Sequence, residues 1–433
     1  MLIQFTVGNY KTFKEKATLS LVASNYDKET RAEENIMVNE KFNLRLLKSA
    51  VIYGANASGK SKLIEALQFM QWMMLNSFKE TQIGEKINVH PFKLQTDYDT
   101  MPSFFQIMFI YDKKIFRYGF EATANHIDIE WLYLRGLKKE ITIFERKSDN
   151  YYFHPVQFKI GKLLQKENFI RNNALVLSTA AQFNDKMGTD ILNSMRNFRF
   201  ISHFNDEGTE NYTKGQIANP EKKAKILNFI KDADLNIEDI SIRETNNFFT
   251  APKYSQKSAN TPDKNIETSL NTIFTEVRTV HKKYNELRRH TESIDFSMEN
   301  DESAGTRKFF YLAGPILDSL ENGYTLIADE LDSRLHPNLV CKIAELFNSS
   351  IANPLNAQLI FNTHNTNLLS SGIFRRDQIW FTEKNRYGAV KLFSLSDIKV
   401  RRTDKYEEDY IEGRYGAIPY LAYFNERLAA DRM

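Results

Sequence analysis

The stretch Lys48-Ser49-Ala50-Val51-Ile52-Tyr53-Gly54-Ala55-Asn56-Ala57-Ser58-Gly59-Lys60-Ser61 decides how the rest of the chain is read. Residues 48–53 form a short apolar run, and Leu63 to Asn76 is apolar almost all round, which reads as a strand, a loop and a buried helix. Between them, Gly54 to Ser61 fits the phosphate-binding pattern G-x-x-x-x-G-K-[ST] in the strand-to-helix context the pattern requires. Glycines let the backbone curl its N–H groups toward phosphates, and the following helix turns its positive end to the same charge. Gly54, Asn56, Ser58, Gly59, Lys60 and Ser61 are therefore candidate ATP-binding residues. Lys60 would reach the β- and γ-phosphates and Ser61 would bind Mg²⁺.

Downstream, Tyr324-Thr325-Leu326-Ile327-Ala328-Asp329-Glu330 is a mostly apolar strand ending in two carboxylates, the form of a Walker B element. Asp329 would hold Mg²⁺ through its waters, and Glu330 would act as general base on the attacking water. Two adjacent acids after a strand are common on surfaces, so this assignment draws its weight from the phosphate loop upstream. A further strand, Gln358 to Asn362, leads to Thr363-His364. His364, placed after the acid pair in chain order, is a candidate contact to the γ-phosphate and the water; taken singly, a histidine there is more often structural.

Leu2 to Val7 alternates apolar and polar residues and runs into Gly8-Asn9, and Ala17 to Ala23 reads as a second strand. Ser103 to Phe153 is rich in aromatic and β-branched residues with a hairpin signal at Asp112-Lys113-Lys114, which predicts an antiparallel sheet. Residues 186–300 are more polar, with a helix over Glu221 to Lys231 and a loop over Ser255 to Lys264. From Thr306 onward, helix and strand alternate, which predicts a parallel sheet flanked by helices. The expected fold is α/β: a P-loop ATPase head with mixed and parallel sheet, an antiparallel β subdomain and an inserted, mostly helical lid or arm. The corresponding segments are 1–185, 186–300 and 301–433.

Composition narrows the setting. Among 433 residues, 58 lysines and arginines face 55 acids, a net of +3 that is too small to imply nucleic-acid binding by bulk charge. Arg288, Arg289 and His290, beside Lys282 and Lys283, form a local basic cluster; a solvated hairpin face is the favoured reading over a nucleic-acid contact. Cys341 is the single cysteine, which excludes an intramolecular disulfide and a multi-thiolate metal site and fits a reducing cytoplasm. No signal peptide and no membrane-spanning run are expected.

The order phosphate loop, Glu302-Ser303-Ala304-Gly305-Thr306, Asp329-Glu330, His364 resembles the ABC ATPases, in which a Ser-x-Gly signature precedes Walker B. The resemblance implies that Ser303 and Gly305 cap a γ-phosphate held by a second copy, hence a homodimer with composite ATP sites, open to higher assembly. Asn9-Tyr10-Lys11-Thr12-Phe13 and the Gly-x-Asn-x-Ser-Gly-Lys-Ser loop look like the SMC-like branch. Asp329 to Pro337, Asn173 to Asn184 and Tyr410 to Pro419 resemble the OLD and abortive-infection ATPases (AbiL, RloA-like) of bacterial anti-phage operons. By that resemblance Gln182 is the candidate Q-loop glutamine, joining Mg²⁺ and the water, with Gln106 as the other choice. His336 stands where transporters carry the D-loop aspartate, and it reads equally as a cap before Pro337.

OLD proteins carry a TOPRIM nuclease domain after the ATPase, whereas only about 70 residues follow His364 here, too few for such a domain. The expectation is a cytoplasmic ATPase that regulates a separate effector, such as a TOPRIM-type nuclease. The alternatives are an SMC-like recombination or repair ATPase that clamps DNA, a nucleotide switch with scarcely any turnover, and a small-molecule kinase. Glu330 argues against the switch; the kinase leaves Ser303, Gly305 and His364 without a task.

Overall fold

A computed structural model describes residues 1–136, 139–202, 206–233, 235–249, 270–400 and 404–419. The loop expected over Ser255 to Lys264 lies outside the described residues. Two compact units result, Met1–Asn205 with Asp318–Met433, and Asp206–Leu317. These boundaries group the chain differently from the three segments drawn from composition. Helix Lys186–Met195, placed by composition in the polar insertion, buries Ile191, Leu192 and Met195 in the core of the first unit.

The first unit is built on two main sheets. In one, five strands run parallel in the order Phe198–Ile201, Thr325–Ala328, Gln358–Asn362, Ser49–Tyr53 and Ile379–Lys384, with Val390–Ser394 antiparallel at the edge. Ser49–Tyr53 is central and wholly buried, which explains its uninterrupted apolar character. The other sheet is antiparallel, in the order Asn150–Phe153, Glu140–Lys147, Ile127–Arg135, Lys114–Ala122, Ser103–Tyr111, Leu2–Gly8 and Ala17–Ser20. Its hairpin at Asp112 and Lys113 forms as expected. Both residues have positive φ, 45° and 57°, the geometry that matches the strand twist in a two-residue turn.

Helix Lys60–Asn76 buries Leu63, Leu67, Met70, Met73 and Met74 in a core shared with Phe5, Phe105 and Phe120 of the antiparallel sheet. Burial of each such side chain contributes roughly 1.5–3 kcal/mol. Gln358 ties the sheets together with polar bonds. Its Oε1 accepts from Leu2 N–H at 2.6 Å, while Nε2 donates to Leu2 O at 3.0 Å and Leu47 O at 3.1 Å.

The second unit carries helices Asp206–Ile217 and Pro220–Lys231, the latter expected over Glu221 to Lys231, and most of helix Ala304–Asn322, which the sequence reading places in the C-terminal segment. It also holds a three-stranded antiparallel sheet, Asp239–Phe249, Leu270–Tyr284 and His290–Ser297, which corrects the mostly helical expectation. Polar strands with one exposed face lack the long apolar runs that mark a strand in sequence. Lys282 pairs with Glu238 at 2.8 Å and Lys283 with Glu292 at 2.5 Å, so two members of the basic cluster are already neutralised on this hairpin. Among the described residues, no helix is long and apolar enough to cross a membrane.

Candidate functional site

The C-terminal ends of parallel strands are where an open α/β sheet collects its ligands. Here that edge presents Gly54, Asp329 and Thr363-His364 side by side, because their strands are neighbours in register. A cleft of about 700 Å³ opens there, lined by Thr12, Asn56 to Lys62, Glu65, Glu330 and His364.

The phosphate loop is held open by packing that only glycine permits. A Cβ on Gly54 would lie 2.4 Å from Ser58 Oγ and 2.5 Å from the Thr382 backbone oxygen and hydroxyl. Thr382 anchors the loop from the adjacent strand: its hydroxyl lies 2.7 Å from Ser58 Oγ and donates to Tyr53 O at 3.2 Å. Gly59, at φ 101°, turns the chain into helix Lys60–Asn76. Lys60 Nζ donates to the carbonyls of Gly54 at 2.8 Å and Ala55 at 3.2 Å, so the cation is already folded over the loop. Burial lowers the Lys60 ammonium to about 8, opposed by Glu330, Asp332 and Asp329.

Asp329 and Glu330 are positioned by a residue that sequence reasoning missed. Asn362 is fully buried; its Nδ2 donates to the Asp329 carboxylate and its Oδ1 accepts from the Glu330 N–H. Glu330 has φ 53°, a left-handed backbone that a non-glycine residue adopts only when its surroundings impose it. Strain of this kind turns the carboxylate out of the strand and into the cleft. The signal available in sequence was an asparagine closing an apolar strand, Gln358 to Asn362.

His364 reaches the same cleft. Its backbone N–H donates to Asp332 Oδ2 at 3.0 Å, and Asp332 Oδ1 is buried with no partner among the described residues. Burial, then the Lys60 charge, holds the His364 imidazole below its usual range against the pull of Asp332 and Glu330. On the opposite wall, Lys11 and Lys62 both pair with Glu65. The Thr12 hydroxyl beside them is buried without a partner among the described residues.

Other expected residues are placed elsewhere. Gln182 is exposed at the end of helix Val176–Gln182, where Ser178 Oγ accepts from Phe78 N–H at 3.2 Å, just beyond the far end of helix Lys60–Asn76. That end is about 25 Å along the helix from Lys60 at the usual rise per residue, so the structure does not bring Gln182 to the cleft. Gln106 lies in strand Ser103–Tyr111 and accepts from Arg117 at 3.3 Å, also outside the cleft lining. The end of strand Phe198–Ile201 adjoins the acid pair: Asp329 N–H donates to Ile201 O at 2.8 Å.

Ser303 and Gly305 begin helix Ala304–Asn322 in the second unit, with Ser303 exposed and its Oγ accepting from Thr306 N–H at 3.0 Å. The cleft lining comes wholly from the first unit. His336 caps helix Pro337–Asn348, accepting from Asn338 N–H at 3.2 Å, as its position before Pro337 suggested.

The residues present fit a nucleotide with Mg²⁺. The loop can tolerate no Cβ at Gly54, one lysine stands over it, and the hard oxygen donors Ser61 and Asp329 are of the type Mg²⁺ takes alongside substrate phosphates.

A phosphate loop, an acid pair and a following histidine stand on one parallel sheet edge, the arrangement of an ATPase with an AAA domain. The chain belongs to the family described as "AAA domain, putative AbiEii toxin, Type IV TA system", which matches residues 49–370. Among solved structures it is similar to the SMC head domain from Thermotoga maritima at 12% identity and TM-score 0.40, covering 92% of this chain and 99% of that one. It is also similar to the recombination mediator protein RecF with ATP, of the RecFOR pathway, at 13% identity and TM-score 0.34, covering 91% and 99%. No curated protein matches the chain.

Proposed function

We propose that this ATPase hydrolyses ATP in a site completed by a second copy of the chain, and that it serves as the sensor and regulator of a bacterial anti-phage system. Its output is control of a separate effector, a nuclease of the TOPRIM type in the leading version. The observation that carries the catalytic part is the Asn362 bridge, which presents Asp329 and Glu330 at the mouth of the phosphate loop.

Lys60 and the backbone N–H groups of the loop bind the phosphates; Glu330 takes the proton of the attacking water, and His364 orients the γ-phosphate. Mg²⁺, held by Ser61 and Asp329, would neutralise charge on the phosphate oxygens. Ser303 and Gly305 supply the cap in trans. The exposure of Ser303 just before helix Ala304–Asn322 supports this reading, since a helix N-terminus favours an anion. The regulatory role rests on the resemblance of Asp329 to Pro337 and of Asn173 to Asn184 to the abortive-infection ATPases.

The test is the mass of the purified Glu330→Gln protein with and without MgATP. Doubling with nucleotide that Ser303→Arg abolishes supports the composite site. A mass that stays monomeric at saturating MgATP rejects it.

A further inference from the structure

The segment Tyr410 to Pro419 has no task in the hydrolysis just described, yet it packs on the residue that leads into the phosphate loop. Helix Tyr406–Ile411 lies against the sheet beside Ser49–Tyr53. The Tyr410 ring packs on Tyr53 at 5.7 Å and stacks on Phe381 at 5.4 Å. Its hydroxyl donates to Ala417 O at 3.2 Å. Ala417 N–H in turn donates to Glu383 at 3.3 Å, on the strand that flanks Ser49–Tyr53.

The same helix grips the His364 segment. Glu407 accepts from the hydroxyls of Thr366 at 2.8 Å and Ser370 at 2.6 Å, two and six residues beyond His364. Tyr53 closes the triangle: its hydroxyl donates to Asn365 O at 3.2 Å while its ring carries Tyr410. Asp409 braces the turn that follows, accepting from Tyr415 at 3.0 Å and Arg414 at 2.7 Å. One short helix thus packs on Tyr53, the residue just before the phosphate loop, and bonds to the chain just after the histidine.

We propose that residues 406–417 form a coupling element for ATP binding and hydrolysis, in which Tyr410 is a positioning residue for the phosphate loop and Glu407 a positioning residue for His364. The proposal rests on the reading of the cleft as an ATP site. The Tyr410 ring on Tyr53 braces the start of the loop whether substrate or transition state is bound, so losing it weakens ATP binding and leaves the chemical step nearly untouched. A bond behind His364 acts on the group that meets the γ-phosphate, so losing it lowers kcat more than it raises KM. Coupling is reciprocal: if docking of this helix favours bound nucleotide, bound nucleotide holds the helix down.

The experiment uses the full chain and compares wild type, Tyr410→Phe, Tyr410→Ala and Glu407→Gln for MgATP affinity, KM, kcat, melting temperature and amide exchange in residues 406–417. Tyr410→Ala removes the ring from Tyr53; we expect roughly five- to tenfold weaker MgATP binding with kcat close to wild type, and Tyr410→Phe, which keeps the ring, should restore affinity and melting temperature. Glu407→Gln should lower kcat several-fold at nearly constant KM, and MgATP should slow exchange in this helix of the wild type. Tyr410→Ala with wild-type affinity, together with exchange that ignores MgATP, would reduce the segment to packing and overturn the proposal. Absence of MgATP binding by wild type itself would overturn the reading of the cleft and this inference with it.

Discussion

The side chain of Asn362 donates its amide hydrogen to the carboxylate of Asp329, one strand away in the parallel sheet. Both groups are buried, so each satisfies the other where water is excluded. The remaining oxygen of the same amide holds the backbone of Glu330, which makes a neutral residue the organiser of the acid pair.

Asn362→Leu is expected to lower ATP turnover by about 10- to 100-fold and to destabilise the fold by about 1–3 kcal/mol, because it strands a buried carboxylate and an N–H group. Steady-state turnover and denaturant unfolding measure the two effects. Unchanged turnover would remove Asn362 from the site.

Gly54→Ala should abolish measurable nucleotide binding in titration calorimetry. The added methyl group collides with Ser58 and with the backbone oxygen of Thr382, and a backbone contact cannot rotate away. Tight binding by this variant would show that the loop is softer than its packing implies.

His364 should titrate below pH 6.5 in nucleotide-free protein, because burial and Lys60 both disfavour its charged form. Its unfolded-state value is higher, so the unfolded chain binds the extra proton and this group costs the fold stability as pH falls below 6.5. Phosphates at the cleft favour the imidazolium, so MgATP binding should raise the value and take up a proton within that window. Imidazole resonances followed by NMR, with His364→Gln as reference, report the shift; no movement on adding MgATP would place the ring away from the phosphates.

Gln358→Leu is expected to destabilise the protein by about 2–4 kcal/mol while leaving MgATP affinity within about twofold, since it deprives buried backbone groups of Leu2 and Leu47 of partners far from the loop. Thermal melts with and without nucleotide separate these outcomes. A large loss of affinity at full stability would contradict a purely architectural role.

Residues 48–76 announced a strand, a loop and a helix because that chemistry is local: glycines for the curl, an apolar run before it, a lysine at the helix start. The helix at Pro337 with its His336 cap was legible for the same reason. Phe198–Ile201 escaped notice because four residues interrupted by an arginine carry no periodicity, and its neighbour in the sheet lies over a hundred residues away. Gln182 was assigned by likeness of its segment, and the helix that bears it packs at the wrong end of helix Lys60–Asn76.

By itself, then, the sequence determined the phosphate loop, the acid pair and the histidine in their order, since each is encoded by residues adjacent along the chain. Only the tertiary structure decided that Asn362 joins Asp329 to Glu330, that Glu330 turns out of its strand, and that Tyr410 packs on Tyr53 more than 350 residues before it. Those relationships depend on which strands become neighbours and which buried polar groups find partners, and both are properties of the packed chain as a whole.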